Sequence, residues 1–139
     1  MILRAFTDGA SRGNPGESGI GIIVRDEEGE TLLAEGGYIG TSTNNMAEYT
    51  ALITLLQRVS GMPCGGIIVH SDSELMVRQV NGQYKVKDRR LKELHSAVLR
   101  LVASLPCTFE IKHIPRSMNR DADRLANEGI DSRRAIAHE

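Results

Sequence analysis

The sequence predicts an α/β fold, a mixed sheet with helices on its faces. Three observations carry this expectation. Three strand-like segments follow one another at the start of the chain. Helical apolar spacing then alternates with further strand-like segments. The β-branched run Ile67-Ile68-Val69 has the character of a strand buried on both faces.

Residues 2–8 read as a short strand that closes at Thr7-Asp8-Gly9. A loop over 9–16, dense in turn formers, follows it. Residues 19–25 and 31–39 read as two more strands, joined by a polar turn from Asp26 to Glu30, which makes an antiparallel meander. Thr43, Asn44 and Asn45 supply helix-capping side chains. Tyr49, Leu52, Ile53 and Leu56 then recur at i, i+3, i+4 and i+7, a helix that ends near Ser60-Gly61. The buried strand around Ile67 to Val69 ends at His70-Ser71-Asp72. A short helix spans 73–81 and stops at Asn81-Gly82. Leu91, Leu94, Val98, Leu101 and Leu105 mark a longer helix ending at Pro106. A strand over 108–114 and a helix from Asn119 to about Ile130 complete the order β-β-β-α-β-α-α-β-α. In such sheets ligands gather beyond the carboxyl ends of the parallel strands. The tail from Ser132 to Glu139 fits either a frayed or a docked segment.

The chain has 139 residues, 40% of them hydrophobic and 25% charged, which suits one globular domain over 1–139 and excludes disordered, collagen-like and coiled-coil classes. No run approaches the roughly 20 apolar residues of a membrane helix, and no signal peptide is visible, so a cytoplasmic protein is expected. Formal net charge is −1, so attraction to nucleic acid must come from local patches. Cys64 and Cys107 do not form a zinc motif. They precede the fourth and fifth strands. Two reduced thiols are expected; if those strands are parallel neighbours, both cysteines lie at one end of the sheet and a disulfide is the geometrically possible alternative.

Asp8 and Asp72 close strands, where α/β sheets put their chemistry. Glu48 lies in the first turn of one helix and Asp123 in the first turns of another, each beside core-facing residues. Acids in such places are costly unless paired, hydrogen-bonded or bound to metal. An oxygen-only ligand set suits Mg²⁺ or Mn²⁺, and two such ions can clamp a phosphodiester. Each acid also has a plainer reading. Asp8 serves as a turn former, Glu48 as a charge on a helix N-terminus, Asp72 as an N-cap. Asp121 competes with Asp123, but the two lie about 200° apart at roughly 3.6 residues per turn.

Together these segments resemble type 1 ribonuclease H (ribonuclease HI). Residues 7–16, TDGASRGNPG, resemble its opening signature. Thr43 to Glu48 is similar to its TNN-x-x-E motif, Ser71-Asp72-Ser73 to its third motif, and Asn119 to Ala126 to its fourth, N-x-x-A-D-x-L-A. The resemblance implies a ribonuclease H-like fold, a five-stranded mixed sheet of order 3-2-1-4-5. It implies endonucleolytic, two-metal hydrolysis of the RNA strand of RNA–DNA hybrids, giving 5′-phosphate and 3′-hydroxyl ends. Asp8, Glu48, Asp72 and Asp123 take the places of the metal-binding acids. Gly9, Ser11, Arg12, Asn14, Thr43, Asn44, Asn45 and Asn119 take places along the substrate groove, with the 2′-hydroxyl as the feature to be sensed. One alternative is a ribonuclease that also cuts double-stranded RNA, and another is a catalytically silent nucleic-acid-binding module on the same fold.

The sequence departs from the family in four places. His113-Ile114-Pro115-Arg116 resembles a subgroup with H-x-P-R before the fourth acidic motif. His113 alternates with Phe109 and Ile111 and so is expected to face the core, which leaves Arg116 as the favoured phosphate-reaching group. The basic protrusion of some members is absent. Residues 81–88 replace it, with Lys85 and Lys87, followed by Arg89, Arg90 and Lys92, as a smaller basic patch and an expected salt-sensitive binding. Glu74 stands where some members have Gln, which alters hydrogen-bonding capacity toward the duplex. Asp8 lies too near the start of the chain for a preceding hybrid-binding domain. No apolar stripe is left over for a partner, so a monomer is expected.

Overall fold

A computed structural model describes residues 1–136. Five strands form one sheet: β1 (Ile2–Gly13), β2 (Gly16–Arg25), β3 (Thr31–Ser42), β4 (Gly66–Ser71) and β5 (Thr108–His113). Their order is β3-β2-β1-β4-β5. The first three strands are an antiparallel meander, and β4 and β5 add in parallel beside β1. The helices are α1 (Asn44–Val59), α2 (Glu74–Val80), α3 (Arg89–Ser104) and α4 (Arg120–Ser132). Mixed topology and strand order match the expectation. Among the described residues no helix is long and apolar enough to cross a membrane.

Three boundaries differ from the sequence reading, each for a physical reason. The segment 9–16 is not a loop. Strand β1 runs on to Gly13 and pairs with β2 through Gly13↔Gly16, with only Asn14 and Pro15 at the turn. Its turn-forming residues are recruited into a long two-stranded ladder because β2 offers a complete row of partners. The parallel ladder with β4, however, ends at Thr7↔Ser71. Asp8 therefore sits just past the carboxyl end of the parallel part of the sheet, in the middle of its own strand. Thr43 alone caps α1, accepting from the Met46 N–H at 3.2 Å. Ser73, rather than Asp72, caps α2, so the Asp72 carboxylate is released from that duty. A single turn of 3-10 helix, Arg116–Met118, sits between β5 and α4.

The core lies between the sheet and α1, α2 and α3. Leu3 and Ala5 of β1, Val69 of β4 and Ile111 of β5 meet Tyr49, Leu52 and Leu56 of α1 and Val98 of α3. On the opposite face α4 lies across β2 and β3, where a side chain on Gly21 would collide with the main chain at Ala122. A second close approach matters more for the site. A Cβ on Gly9 would occupy the space of the Ala47 and Glu48 backbone, so only glycine lets α1 lie this close to β1.

His113 does not face the core. It ends β5 exposed, directly after exposed Lys112, and the next inward residue is Ile114, 8% exposed, whose N–H donates to Ser71 O at 2.9 Å. The two-residue alternation breaks where the strand ends. Cys64 and Cys107 lie at one end of neighbouring parallel strands and are free thiols packed against the core. Burial, and next the Cys64 thiol beside it, push the Cys107 thiol up to about 11. The tail is docked as far as Ile136: Tyr38 N–H donates to Arg134 O at 2.7 Å and Ile136 packs on Gly37. Residues 137–139 lie outside the described residues.

Gly9→Ala is expected to cost about 1–3 kcal/mol of stability, the scale of overpacking a tight contact. A lower urea midpoint with an unchanged slope would show it. An unchanged midpoint would mean that α1 has room to move away from β1.

Candidate active site

Four acids converge from four elements at one end of the sheet. Asp8 comes from β1, Glu48 from α1, Asp72 from the turn after β4 and Asp123 from the first turn of α4. Carboxylate oxygens of Asp8, Glu48 and Asp72 lie within 4.8 Å of one another. Asp123 closes the group from the α4 side, near enough for its charge to act on Asp8. Asp121, on the other side of α4, pairs instead with Arg25 at 2.9 Å and stays outside the group.

Local structure fixes each acid. Glu48 Oε1 accepts the Gly9 N–H at 2.7 Å. That bond exists because α1 packs so closely on Gly9. Asn119 is 1% exposed and its side-chain amide donates to Thr7 O at 2.9 Å and to Asp72 Oδ2 at 3.4 Å. It ties the start of α4 to the strand that carries Asp8. Arg116 Nη2 approaches Asp123 Oδ1 at 3.7 Å while remaining largely in solvent.

The electrostatics of the group are those of uncompensated acids. Asp8 is pushed up to about 9, first by burial and then by Glu48, Asp72 and Asp123. Glu48 is pushed up to about 8, first by burial and then by Asp72, against the pull of the Gly9 N–H. Oxygen-only ligands at this spacing, short of cations, fit one or more hard divalent ions. Such an ion supplies the positive charge that the protein does not.

The acids open into a cleft of about 400 Å³ lined also by Gly9, Ser11, Arg12, Asn44, Arg116 and Asn127. A neighbouring groove is lined by Asn14, Thr43, Asn45, Met46 and the start of α3 at Asp88 to Leu91. Asn14 Oδ1 accepts the Asn44 N–H at 3.1 Å, joining cleft and groove. The other singled-out residues lie elsewhere. His113 lines neither space. Glu74 is exposed at the start of α2 and pairs with Arg78 at 3.4 Å. Lys85 and Lys87 are exposed in the short connection between α2 and α3. Asn119 is buried and uses its amide within the fold. Asn127 was not singled out by sequence, although its place four residues after Asp123 on one helix face is a signal that finds it.

The family described as Reverse transcriptase-like matches residues 6–129. Ribonuclease HI of Halobacterium salinarum is 36% identical over 129 residues, covering 93% of this chain and 64% of that protein. Ribonuclease H of Halorhodospira halophila is 32% identical over 143 aligned residues, covering 94% of this chain and 93% of that protein. The solved structure of LC11-RNase H1, from compost, in complex with an RNA/DNA hybrid superposes with a TM-score of 0.89 at 42% identity, covering 94% of this chain and 97% of that one. The chain spans less than two thirds of the Halobacterium protein's own length, 64%, and 34% of mycobacterial relatives that it matches at 39% identity.

Asp8 and Glu48 carry raised pKa values, about 9 and about 8 against ordinary values of 3.8 and 4.5, so the metal-free folded protein holds more protons than the unfolded chain across that window. Its stability is expected to fall as pH rises from about 4 to about 9. Thermal melts in a chelator at several pH values check this. Asp8→Asn, which removes one repelling acid, is expected to melt a few degrees higher than the parent at pH 8. A parent more stable at pH 8 than at pH 5 would contradict the raised values.

Proposed function

The chain belongs to the reverse transcriptase-like family, among the ribonucleases H, and from that membership we propose that it hydrolyses the RNA strand of RNA–DNA hybrids endonucleolytically, by two-metal-ion catalysis, leaving 5′-phosphate and 3′-hydroxyl ends. The observation that carries this reading is the convergence of Asp8, Glu48, Asp72 and Asp123 at the mouth of a cleft. A site built only to grip a polyanion would not concentrate acids there.

In this reading the four acids hold two Mg²⁺ or Mn²⁺ ions, which when bound activate the attacking water and stabilise the leaving 3′-oxygen. The chain's own groups do the rest. The Gly9 N–H holds Glu48 in place. Asn119 fixes Asp72 against β1. Arg116 stands at the cleft mouth, free to meet the scissile phosphate. The main chain of Gly9 to Arg12, with Asn14, Asn44 and Asn45, supplies polar groups for the minor groove, where the 2′-hydroxyl separates RNA from DNA. Thr43, Arg89 and Arg90 line the adjoining groove, suited to the phosphates of the DNA strand.

Cleavage of end-labelled RNA–DNA, RNA–RNA and DNA–DNA duplexes with Mg²⁺, Mn²⁺ or chelator tests the proposal, beside Asp8→Asn. Metal-dependent cutting of the hybrid's RNA strand alone, abolished in Asp8→Asn, is expected. Cutting of RNA–RNA as well favours a broader ribonuclease. Binding without any cutting favours a non-catalytic module.

Arg116→Ala is expected to lower kcat by about tenfold, less than the 10²–10³ of a buried donor because Arg116 is solvent-exposed and screened. His113→Ala is expected to change kcat little, since His113 lies outside the cleft. A larger loss in His113→Ala would reverse the assignment.

A further inference from the structure

We propose that Arg12 and Asn127 are positioning residues for Asp123, holding its carboxylate in register with Asp8; the inference rests on the reading of Asp123 as a metal-holding acid. Positions 123, 127 and 131 of α4 are spaced by four and lie on one helix face. That face meets the far end of β1, where Arg12 stands four residues beyond Asp8. The Arg12 guanidinium bridges two residues one turn apart on α4. Its Nη1 donates to Asp131 Oδ1 at 2.7 Å, and its Nη2 donates to Asn127 Oδ1 at 3.3 Å. Asn127 Nδ2 in turn donates to Asp123 O at 3.0 Å and to Asp123 Oδ1 at 3.4 Å.

The direction of this relay follows from chemistry. An asparagine amide has a donating and an accepting end of nearly equal shape, and either can face a neighbour. A guanidinium only donates, so it fixes the oxygen end of Asn127 toward itself and the NH₂ end toward Asp123. Asp131 holds the guanidinium in turn, through a charge-assisted bond. Lysine cannot reproduce this, because an ammonium lacks the planar fork that serves two acceptors at once. Arg12 and Asp131 are both exposed, so their pairing adds little to global stability. Its effect is orientation. Asp123 needs it because Asp8, the acid it faces across the cleft, shares its charge, and Arg116 is a loosely held solvent-exposed group at 3.7 Å. One strand thus carries both Asp8 and the residue that sets Asp123 opposite it.

The test uses the full chain with Asn127→Leu, Asn127→Ala, Arg12→Ala, Arg12→Lys and the Arg12→Ala/Asn127→Leu pair. Both Asn127 variants are expected to lose about tenfold in kcat on an RNA–DNA hybrid, the lower end of what outer partners of metal ligands contribute, with KM for the duplex nearly unchanged. Half-maximal activity should need a higher Mg²⁺ concentration. Arg12→Ala should lose less than Asn127→Leu, and the double variant should be no worse than Asn127→Leu alone. Arg12→Lys should behave as Arg12→Ala in kcat while melting like the parent. In the absence of metal and nucleic acid, nuclear magnetic resonance should show the Asn127 side-chain amide protons slowly exchanging in the parent and fast in Arg12→Ala. Fully additive losses would overturn the proposal. So would a rise in KM alone, which would make Arg12 a substrate contact, or an amide indifferent to Arg12. A parent that cuts no hybrid would sink the functional reading instead, and the amide comparison would still decide whether Arg12 orders Asn127.

Discussion

Holding the oxygens of Asp8, Glu48 and Asp72 within 4.8 Å of one another works against both their charge and their hydration. Among the described residues, no cationic side chain is buried beside them. The fold resists their separation with main chain rather than with counter-charge. The unequal pairing of β1, antiparallel to β2 from Arg4 to Gly13 but parallel to β4 only up to Thr7, fixes Asp8 at the point where β4 hands over to the Asp72 turn. The glycine at position 9 admits α1 and supplies the N–H that Glu48 accepts. A side chain there would break both links at once. Packing at Gly9 and the electrostatics of the cluster are therefore one constraint.

Asp123 stands apart from this arrangement, because α4 lies on the opposite face of the sheet from α1. Its approach depends on how α4 seats on β2 and β1. Glycines such as Gly21 let the helix down onto the sheet, Asn119 pins its start to Thr7, and Arg12 spans its middle. Three acids are thus organised around the β1–β4 junction and the fourth is brought to them by a helix with its own anchors. This division lets the fourth acid shift without unfolding the core, since α4 shares little of the apolar cluster that joins α1, α2 and α3 to the sheet.

Mixed topology and the element sequence were legible because they rest on periodicity, and the strand order followed from the family resemblance carried by motifs that span most of the chain. The four acids were legible as a set, since each had an ordinary local explanation by itself. Structure separates those explanations from the acids: Ser73 rather than Asp72 caps α2, and Asp8 lies within a ladder rather than at a turn. What was not legible depended on partners distant in sequence. Turn formers in 9–13 became strand because β2 lay alongside. His113 turned outward because alternation fails where a strand ends, and only the position of Ile114 reveals it. Asn127 has no motif of its own, and its meaning comes from Arg12, 115 residues away.

For a chain of net charge −1, the proposed handling of a polyanion meets a difficulty at its own acids, which would repel a phosphate placed among them. The raised pKa values of Asp8 and Glu48 soften it. Near neutral pH, without a cation, these two keep protons, so the cleft does not carry its full formal charge. A divalent cation, if bound, would complete the ionisation by displacing those protons. The negative charge that would ligate the ion and the positive charge that would attract a phosphate would then arrive together. The cations of the chain itself can accordingly stay at the margins, Arg116 at the cleft mouth and Arg89 and Arg90 along the adjoining groove. There, in the proposed reading, they would meet a duplex without neutralising the acids, and a buried lysine or arginine among the four would remove the reason for a metal to bind.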